Sequence, residues 1–409
     1  MTVPDVAAPP SSRSGRPRLL VVETNAGGHR GEHLRWIAEG WLRRGAAGRL
    51  VILAPAALLE DHPELSEFGE AITAHPLHAP PDRGTQWESL FGTHRARPLA
   101  DALTEHRPER ALLMSFDHFL APLAAHVPLP AGTSLGALTL RPTLHYDTIG
   151  SPAKGLRERA ERAIKRAWTR RAVRHPALET LFTLDPTSIP ALAALGGAGV
   201  VGVPDPVPDE PVLHTADAVR SDLGVEPGRR LLLLAGGLDR RKGPLAVLRA
   251  VPLLPPEAAR RVAVVLWGRL HDDIRGDVRS LDREARASGA QVIVRDAFVP
   301  AGEMQTAVAA ADVLLVPYLR HVGSSGLLMR AAGAGVPVLS QSWGAMGHLV
   351  RQHRLGQTTD PDEPVRLAAA IACAVADPRT DFDAREAAAF ARGYTEEAYS
   401  DALLSHLAP

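Results

Sequence analysis

Two short stretches carry the residue types and spacing that phosphate chemistry needs. In LLLLAGGLDRRKGPLAVLRA an apolar strand runs into Gly236 and Gly237, and Arg240, Arg241 and Lys242 then arrive at the start of a helical pattern. Cations there, beside the free N–H groups of a helix start, would bind a diphosphate and stabilise the charge of a departing phosphate. In VLLVPYLRHVGSSGLLMRAAGAGVPVLSQS the run Gly323, Ser324, Ser325 and Gly326 opens another helix. Such a start is an anion site by geometry, although either serine alone also reads as a plain helix cap.

The first half offers groups suited to hydroxyls. After the strand-like RLLVVET, Gly27 and Gly28 permit a tight turn whose N–H groups could face an anion or a sugar, and His29 follows. Asp117 and His118 follow RALLMSF, and Arg141, His145, Tyr146 and Asp147 follow SLGALTL. Mixed donors and acceptors of this kind recognise sugar hydroxyls. The plainer reading has Asp147 capping a turn and His145 satisfied inside the fold. The G-x-G-x-x-G dinucleotide fingerprint is not supplied by NAGGHRG, which counts against a nicotinamide enzyme.

Strands must place these loops. RLLVVET, RLVILAP, RALLMSF, SLGALTL and ETLFTL alternate with helical segments, and the alternation restarts with RRLLLLAG, RVAVVLWG, QVIVRDAF, DVLLVPY and VPVLSQ. The pattern predicts an α/β chain with two doubly wound, Rossmann-like halves facing across a cleft. Ligands of such sheets bind beyond the carboxyl ends of the strands. The Pro-rich VPDPVPDEPVLH reads as the connector. The expected division is a disordered tail over 1–16, a first domain over 17–208 and a second over 209–392. A C-terminal helix within 393–409 would return to the first domain.

The chain has 409 residues with 46 basic and 46 acidic side chains, so no global field draws it to nucleic acid or anionic membrane. Cys373, the single cysteine, lies in the apolar run AAIACAVA and reads as a buried helix residue. With no signal-peptide pattern and no apolar stretch long enough to span a bilayer, the expectation is a cytoplasmic protein without stable membrane insertion. The segment 154–175, from Lys154 to His175, is a basic amphipathic helix. Its apolar stripe of Leu156, Ala160, Ile164, Ala167 and Trp168 reads most simply as core-facing, and peripheral docking on anionic lipid is the alternative. Nothing in the sequence sets the oligomeric state.

The two phosphate stretches, in this order after a Pro-rich connector, resemble the donor half of GT-B glycosyltransferases, closest to family 4. That family has a G-R-x-x-x-x-K-G segment, a Glu-x7-Glu segment and a G-x-P-V strand. LDRRKG matches the first at Lys242 and Gly243, and GAGVPVL matches the last at Gly335 and Pro337. The resemblance covers most of residues 18–407 and is specific in the second half. It departs where Gly237 stands for the phosphate-loop Arg, so that Arg240 or Arg241 would substitute. It departs again where Val322 and Arg330 stand for the two Glu residues. Arg330 is donor-only, so it would contact phosphate, or the nucleotide is held differently, or donor binding is lost.

The resemblance implies a hexosyltransferase with no resident cofactor. A nucleotide-diphosphate sugar would be the co-substrate and a small molecule or glycan the acceptor, with retained configuration. Lys242 and Arg241 would act on the leaving group. Gly27, Gly28, Gly236, Gly237, Arg240, Gly323, Ser324, Ser325, Gly326 and Arg330 would line the donor site, and Asp117, His118, Arg141, Tyr146 and Asp147 the acceptor site. If configuration inverts instead, His29 or His145 is the candidate base. No D-x-D stands at a strand end, so a metal-independent reaction is expected. The rival readings are a nucleotide-sugar epimerase and a non-catalytic binding module derived from a transferase.

Overall fold

The computed structural model describes residues 17–27, 29–77, 95–150, 155–208 and 210–408. It contains two parallel sheets. The first has seven strands: β1 (Leu19–Val22), β2 (Leu50–Ala54), β3 (Ile72–Pro76), β4 (Arg110–Leu113), β5 (Leu135–Thr139), β6 (Leu178–Thr183) and β7 (Gly199–Gly202). Their spatial order is β3-β2-β1-β4-β5-β6-β7. The second has six: β8 (Arg230–Ala235), β9 (Val262–Trp267), β10 (Gln291–Arg295), β11 (Val313–Val316), β12 (Val338–Gln341) and β13 (Gly356–Thr359). These run in the order β10-β9-β8-β11-β12-β13.

In both orders the chain reverses direction across the sheet after its third strand. This creates a crevice between β1 and β4 in one sheet and between β8 and β11 in the other, where strand-end loops can hold a ligand. Register is fixed at these junctions, with Leu20 beside Ala111 and Leu232 beside Val313.

The apolar runs reflect burial on both faces. On β8, Leu232 and Leu234 enter one core with Val264, Leu266 and Leu248, whereas Leu231, Leu233 and Ala235 enter the opposite core with Val265, Trp267 and Leu328. Alternate side chains point to opposite faces, so a sheet covered twice needs a continuous apolar strand. Each fully buried leucine contributes about 1.5–3 kcal/mol.

The chain divides into two compact units. One comprises the described residues of Met1–Leu138 with Arg171–Leu181 and Leu404–Pro409, and the other comprises Thr139–Arg170 and Phe182–Leu403. In the first, Arg110 donates to the carbonyl of His406 near the chain's end. In the second, the Pro-rich stretch is fastened along its length. The Val207 N–H donates to the Tyr394 carbonyl, Asp205 accepts from Ser324, and the Leu213 N–H donates to Thr306 Oγ1.

Three strands lack a strong sequence signature. β3 reads ITAHP and is half-exposed, β7 reads GVVG and β13 reads GQTT. Pairing with a buried neighbour makes each a strand, against its own weak propensity.

Two expectations about burial are overturned. Cys373 is exposed, because Ile371, Ala374 and Val375 take the inward side of helix Pro364–Ala376 and leave Cys373 on the other. Most of the apolar stripe of helix Leu156–Ala172 faces outward: Leu156 is 83% exposed, Ala160, Ile164 and Ala167 are exposed as well, and only Trp168 is half-buried. Lys154, which would open that helix, lies outside the described residues. Among the described residues no helix is long and apolar enough to cross a membrane.

Candidate active site

The loops after β8 and β11 meet at the second sheet's crevice. Gly236 leaves β8 with φ +92°, a conformation open to glycine, and a Cβ there would lie 3.1 Å from Lys242 Nζ. Asp239 then caps the short 3-10 turn Arg240–Lys242, its Oδ1 accepting from the Lys242 N–H at 2.8 Å. Gly243 closes the turn at φ +82°, packed so tightly that a Cβ would sit 2.4 Å from the Pro317 carbonyl oxygen. The Leu319 N–H donates to the Arg241 carbonyl at 2.7 Å and joins the two loops through backbone.

Tyr318 is where the two glycine-containing loops come together. Lys242 Nζ lies 5.3 Å and the Arg241 guanidinium 5.7 Å from its ring, and its hydroxyl is 3.2 Å from Ser325 Oγ. Both cations are attracted to the negative face of the ring. Lys242 has no carboxylate partner among the described residues. Arg241 Nη1 donates to His321 Nδ1 at 2.9 Å, with Asp239 Oδ2 3.4 Å from Nη2. His321 Nε2–H donates in turn to the Ser324 carbonyl at 2.9 Å. Burial, chiefly, holds the His321 imidazole down to about 4, against an ordinary 6.5. It is therefore neutral and can accept from Arg241.

The Gly323, Ser324, Ser325, Gly326 run precedes helix Gly326–Ala334, with Ser325 at its N-cap. Part of its bonding capacity serves the framework. Ser324 Oγ donates to Asp205 Oδ2 at 2.6 Å, and the Gly323 N–H donates to the Tyr146 hydroxyl at 2.6 Å. Ser325 and the orphan N–H groups of the first helical turn remain at the crevice. Gly237 is exposed with open space around its Cβ position. Arg240 points elsewhere, bound to Asp273 Oδ2 at 2.9 Å and Asp277 Oδ2 at 3.2 Å. Arg330 forms a two-point pair with Glu210, at 2.9 and 3.2 Å.

The loop after β5 adds a buried polar cluster. His145, 3% exposed, donates from Nε2 to Thr187 Oγ1 at 2.8 Å, and that hydroxyl donates to Asp185 Oδ1 at 2.5 Å. Asp185 Oδ2 lies 3.2 Å from the same imidazole nitrogen. His145 Nδ1 is buried and has no hydrogen-bond partner among the described residues. Tyr146 packs edge-on against His145 at 4.8 Å between ring centroids. Burial, with the Asp185 carboxylate nearby, pushes the Tyr146 phenol up, so it stays protonated. Asp147 is bound to Arg162 at 2.7 Å, and the Arg141 carbonyl accepts from Lys165.

In the first unit, fully buried Glu23 ends β1. Its Oε1 accepts from the N–H groups of Thr24 and Asn25 at 2.7 and 2.8 Å, and its Oε2 pairs with Arg30 at 2.8 Å. Arg30 also reaches Ser115 Oγ at 2.9 Å, and His118 Nδ1 lies 2.7 Å from Thr24 Oγ1. Asp117 is half-buried in the same turn as His118. His29 is exposed, 3.5 Å from Glu32, and the Gly27 N–H is bound to Asn25 Oδ1 at 3.1 Å. Gly28 lies outside the described residues.

Several working groups had no place among the sequence candidates: Asp239, Tyr318 and His321 around the cations, Asp185 and Thr187 around His145, and Glu23 with Arg30. Most of them follow the last residues of a strand. The same rule that picked Asp117 and His145 would have found Asp185 in ETLFTLDPTS.

The fold matches solved GT-B glycosyltransferases. Anabaena HepE, in complex with UDP and glucose, superposes with a TM-score of 0.64 at 16% identity, covering 95% of this chain and 98% of that one. Sucrose-phosphate synthase of Thermosynechococcus elongatus gives 0.68 at 13% identity, over 96% and 98% of the two chains. The chain thus has the GT-B fold. Within it, residues 229–377 match the family described as glycosyl transferases group 1. The D-inositol 3-phosphate glycosyltransferase of Pseudarthrobacter chlorophenolicus is 30% identical over 174 residues, 42% of this chain and 40% of that protein. Its namesake from Streptomyces scabiei is 32% identical over 157 residues, 37% and 34% of the two. The chain therefore spans well under half the length of these relatives.

Proposed function

We propose that the protein transfers a sugar from a nucleotide-diphosphate donor to a small acceptor, without a metal and with retention of configuration. The observation that carries this reading is the meeting of Lys242 and Ser325 at Tyr318, which puts an ammonium without a carboxylate partner among the described residues beside a helix start. A diphosphate seated there gains charge-assisted bonds in the ground state, and they strengthen as the sugar departs and charge collects on the β-phosphate. Lys242 and Arg241 then do the electrostatic work otherwise assigned to a divalent ion. In a retaining reaction the leaving phosphate itself accepts the acceptor's proton, so no separate base is required.

His145 takes the sugar in this reading. Its Nε2 is fixed by Thr187 and Asp185, and its buried Nδ1 has no partner among the described residues, so a ligand hydroxyl would bond there once the loop after β5 moves to uncover it. UDP heads the list of donor nucleotides, since it occupies HepE, and inositol 3-phosphate heads the acceptors, from the name of the relatives. A second reading, a module that binds a nucleotide and releases no sugar, draws on the Arg330 pair with Glu210, because Arg330 presents no acceptor to a ribose. Thermal shift against UDP, GDP, ADP, TDP and CDP, followed by donor turnover with and without acceptor, separates the readings. Stabilisation by one diphosphate and acceptor-dependent release supports transfer. Stabilisation without turnover supports the binding module, and no shift with any diphosphate removes both.

A further inference from the structure

We infer that His321 is a positioning residue for diphosphate binding: it aims the Arg241 guanidinium without cancelling its charge. The inference rests on the diphosphate reading of the crevice and adds a residue behind the cations. In the second unit Arg220, Arg240, Arg295 and Arg330 each take a carboxylate partner, at 2.8, 2.9, 2.7 and 2.9 Å. Arg241 differs. Its nearest partner is an imidazole, with Nη1 donating to His321 Nδ1 at 2.9 Å and Asp239 Oδ2 farther off, 3.4 Å from Nη2. Asp239 is also 40% exposed, and its Oδ1 accepts from the Lys242 N–H. A close carboxylate would hold a guanidinium and neutralise it, whereas a neutral imidazole holds it and leaves the charge for an anion.

A guanidinium only donates, so His321 Nδ1 carries the lone pair and the ring proton sits on Nε2. That Nε2–H donates to the Ser324 carbonyl at 2.9 Å, and the Tyr318 ring stands perpendicular to the imidazole at 5.2 Å between centroids. Together they fix the plane of the imidazole, and with it the direction in which Arg241 is held. Burial above all, then the nearby cations Arg241, Arg141 and Lys242, keep the imidazole uncharged. The Nε–Nη2 edge of Arg241 remains for the two-point bond that phosphate oxygens take, with only Asp239 near it among the described residues. Arg240, one residue earlier, shows the contrast: two aspartates hold it at 2.9 and 3.2 Å, and its charge is neutralised there.

The test is calorimetric titration of the full chain with UDP, GDP, ADP, TDP and CDP, in the wild type and in H321N, H321D and H321L. Asn offers Oδ1 where Nδ1 stood, Asp offers the same acceptor with a negative charge, and Leu offers none. The diphosphate that binds the wild type should bind H321N within about threefold, and H321D and H321L at least about tenfold more weakly. Asn and Asp differ by one charge at nearly constant volume, so their comparison decides even where Leu unsettles the loop. Thermal midpoints show that both fold. Equal affinities of H321N and H321D, whether both normal or both lost, overturn the proposal and leave the diphosphate reading standing. A wild type that binds none of the five diphosphates overturns that reading and this inference with it.

Discussion

The guanidinium of Arg330 meets the carboxylate of Glu210 at two points, 2.9 and 3.2 Å apart, with both side chains largely buried at 11% and 15% exposure. Arg330 sits on helix Gly326–Ala334 and Glu210 on the Pro-rich stretch, so the pair fastens that stretch to the helix. Removing one partner strands the other charge. Arg330→Met and Glu210→Gln should each cost about 1–3 kcal/mol by denaturant unfolding, and the double variant distinctly less than their sum. Strictly additive costs would mean that the pair is not coupled.

Lys242 carries the functional proposal. Lys242→Met should lower turnover about 10²–10³-fold and weaken diphosphate binding, with little change in thermal midpoint because no ion pair is broken. Chelation by EDTA should leave the wild-type rate unchanged. Near-normal turnover in the variant, or a rate abolished by EDTA and restored by a divalent ion, would move the electrostatic work elsewhere.

The glycines of this site make separate demands. Gly243→Ala adds a Cβ 2.4 Å from the Pro317 carbonyl oxygen at a positive φ, and should destabilise the fold by about 1–3 kcal/mol. Gly237→Ala meets no atom within 4 Å and should stay within about 0.5 kcal/mol of wild type. Calorimetry on the two variants decides, and a Gly243→Ala protein as stable as wild type would show that the two loops separate more readily than their packing indicates.

His33 and His321 give stability a pH dependence of known sign. Burial, chiefly, lowers His33 to about 3 and His321 to about 4, both below the ordinary 6.5. The unfolded chain therefore binds more protons between these values. The contribution is full above pH 6.5 and is lost as pH falls towards 4 for His321 and towards 3 for His33. Each adds up to about 1.4 kcal/mol per pH unit in its window. His33→Leu should flatten the fall of the thermal midpoint between pH 6 and pH 4, roughly the window these shifts define. An unchanged slope would show that His33 does not titrate on unfolding.

How much of this was legible in the sequence depended on whether a residue's role was local. β8 and β9 read clearly because both faces of the second sheet are covered, and LLLL and VAVV admit no other use. The capped turn at Lys242 and the helix start at Gly326 were legible because glycines and charges mark them within a few residues. What Arg240 and Arg241 do was not legible. They are adjacent and identical in type, yet one is bound by Asp273 and the other by His321, groups far along the chain. The outward stripe of helix Leu156–Ala172 escaped for a related reason. Periodicity finds the stripe, but only the partners of Glu158, Arg162 and Lys165 reveal which side faces in.

The backbone bond from Leu319 to Arg241 joins the two loops without using either side chain, so truncating Arg241 or Leu319 leaves the joint in place. Arg241 and Tyr318 therefore hold their spacing before any ligand arrives. The entropy of arranging them is lost once, during folding, rather than at each encounter. If the proposed diphosphate binds here, a frame of this kind favours capture without a prior loop closure.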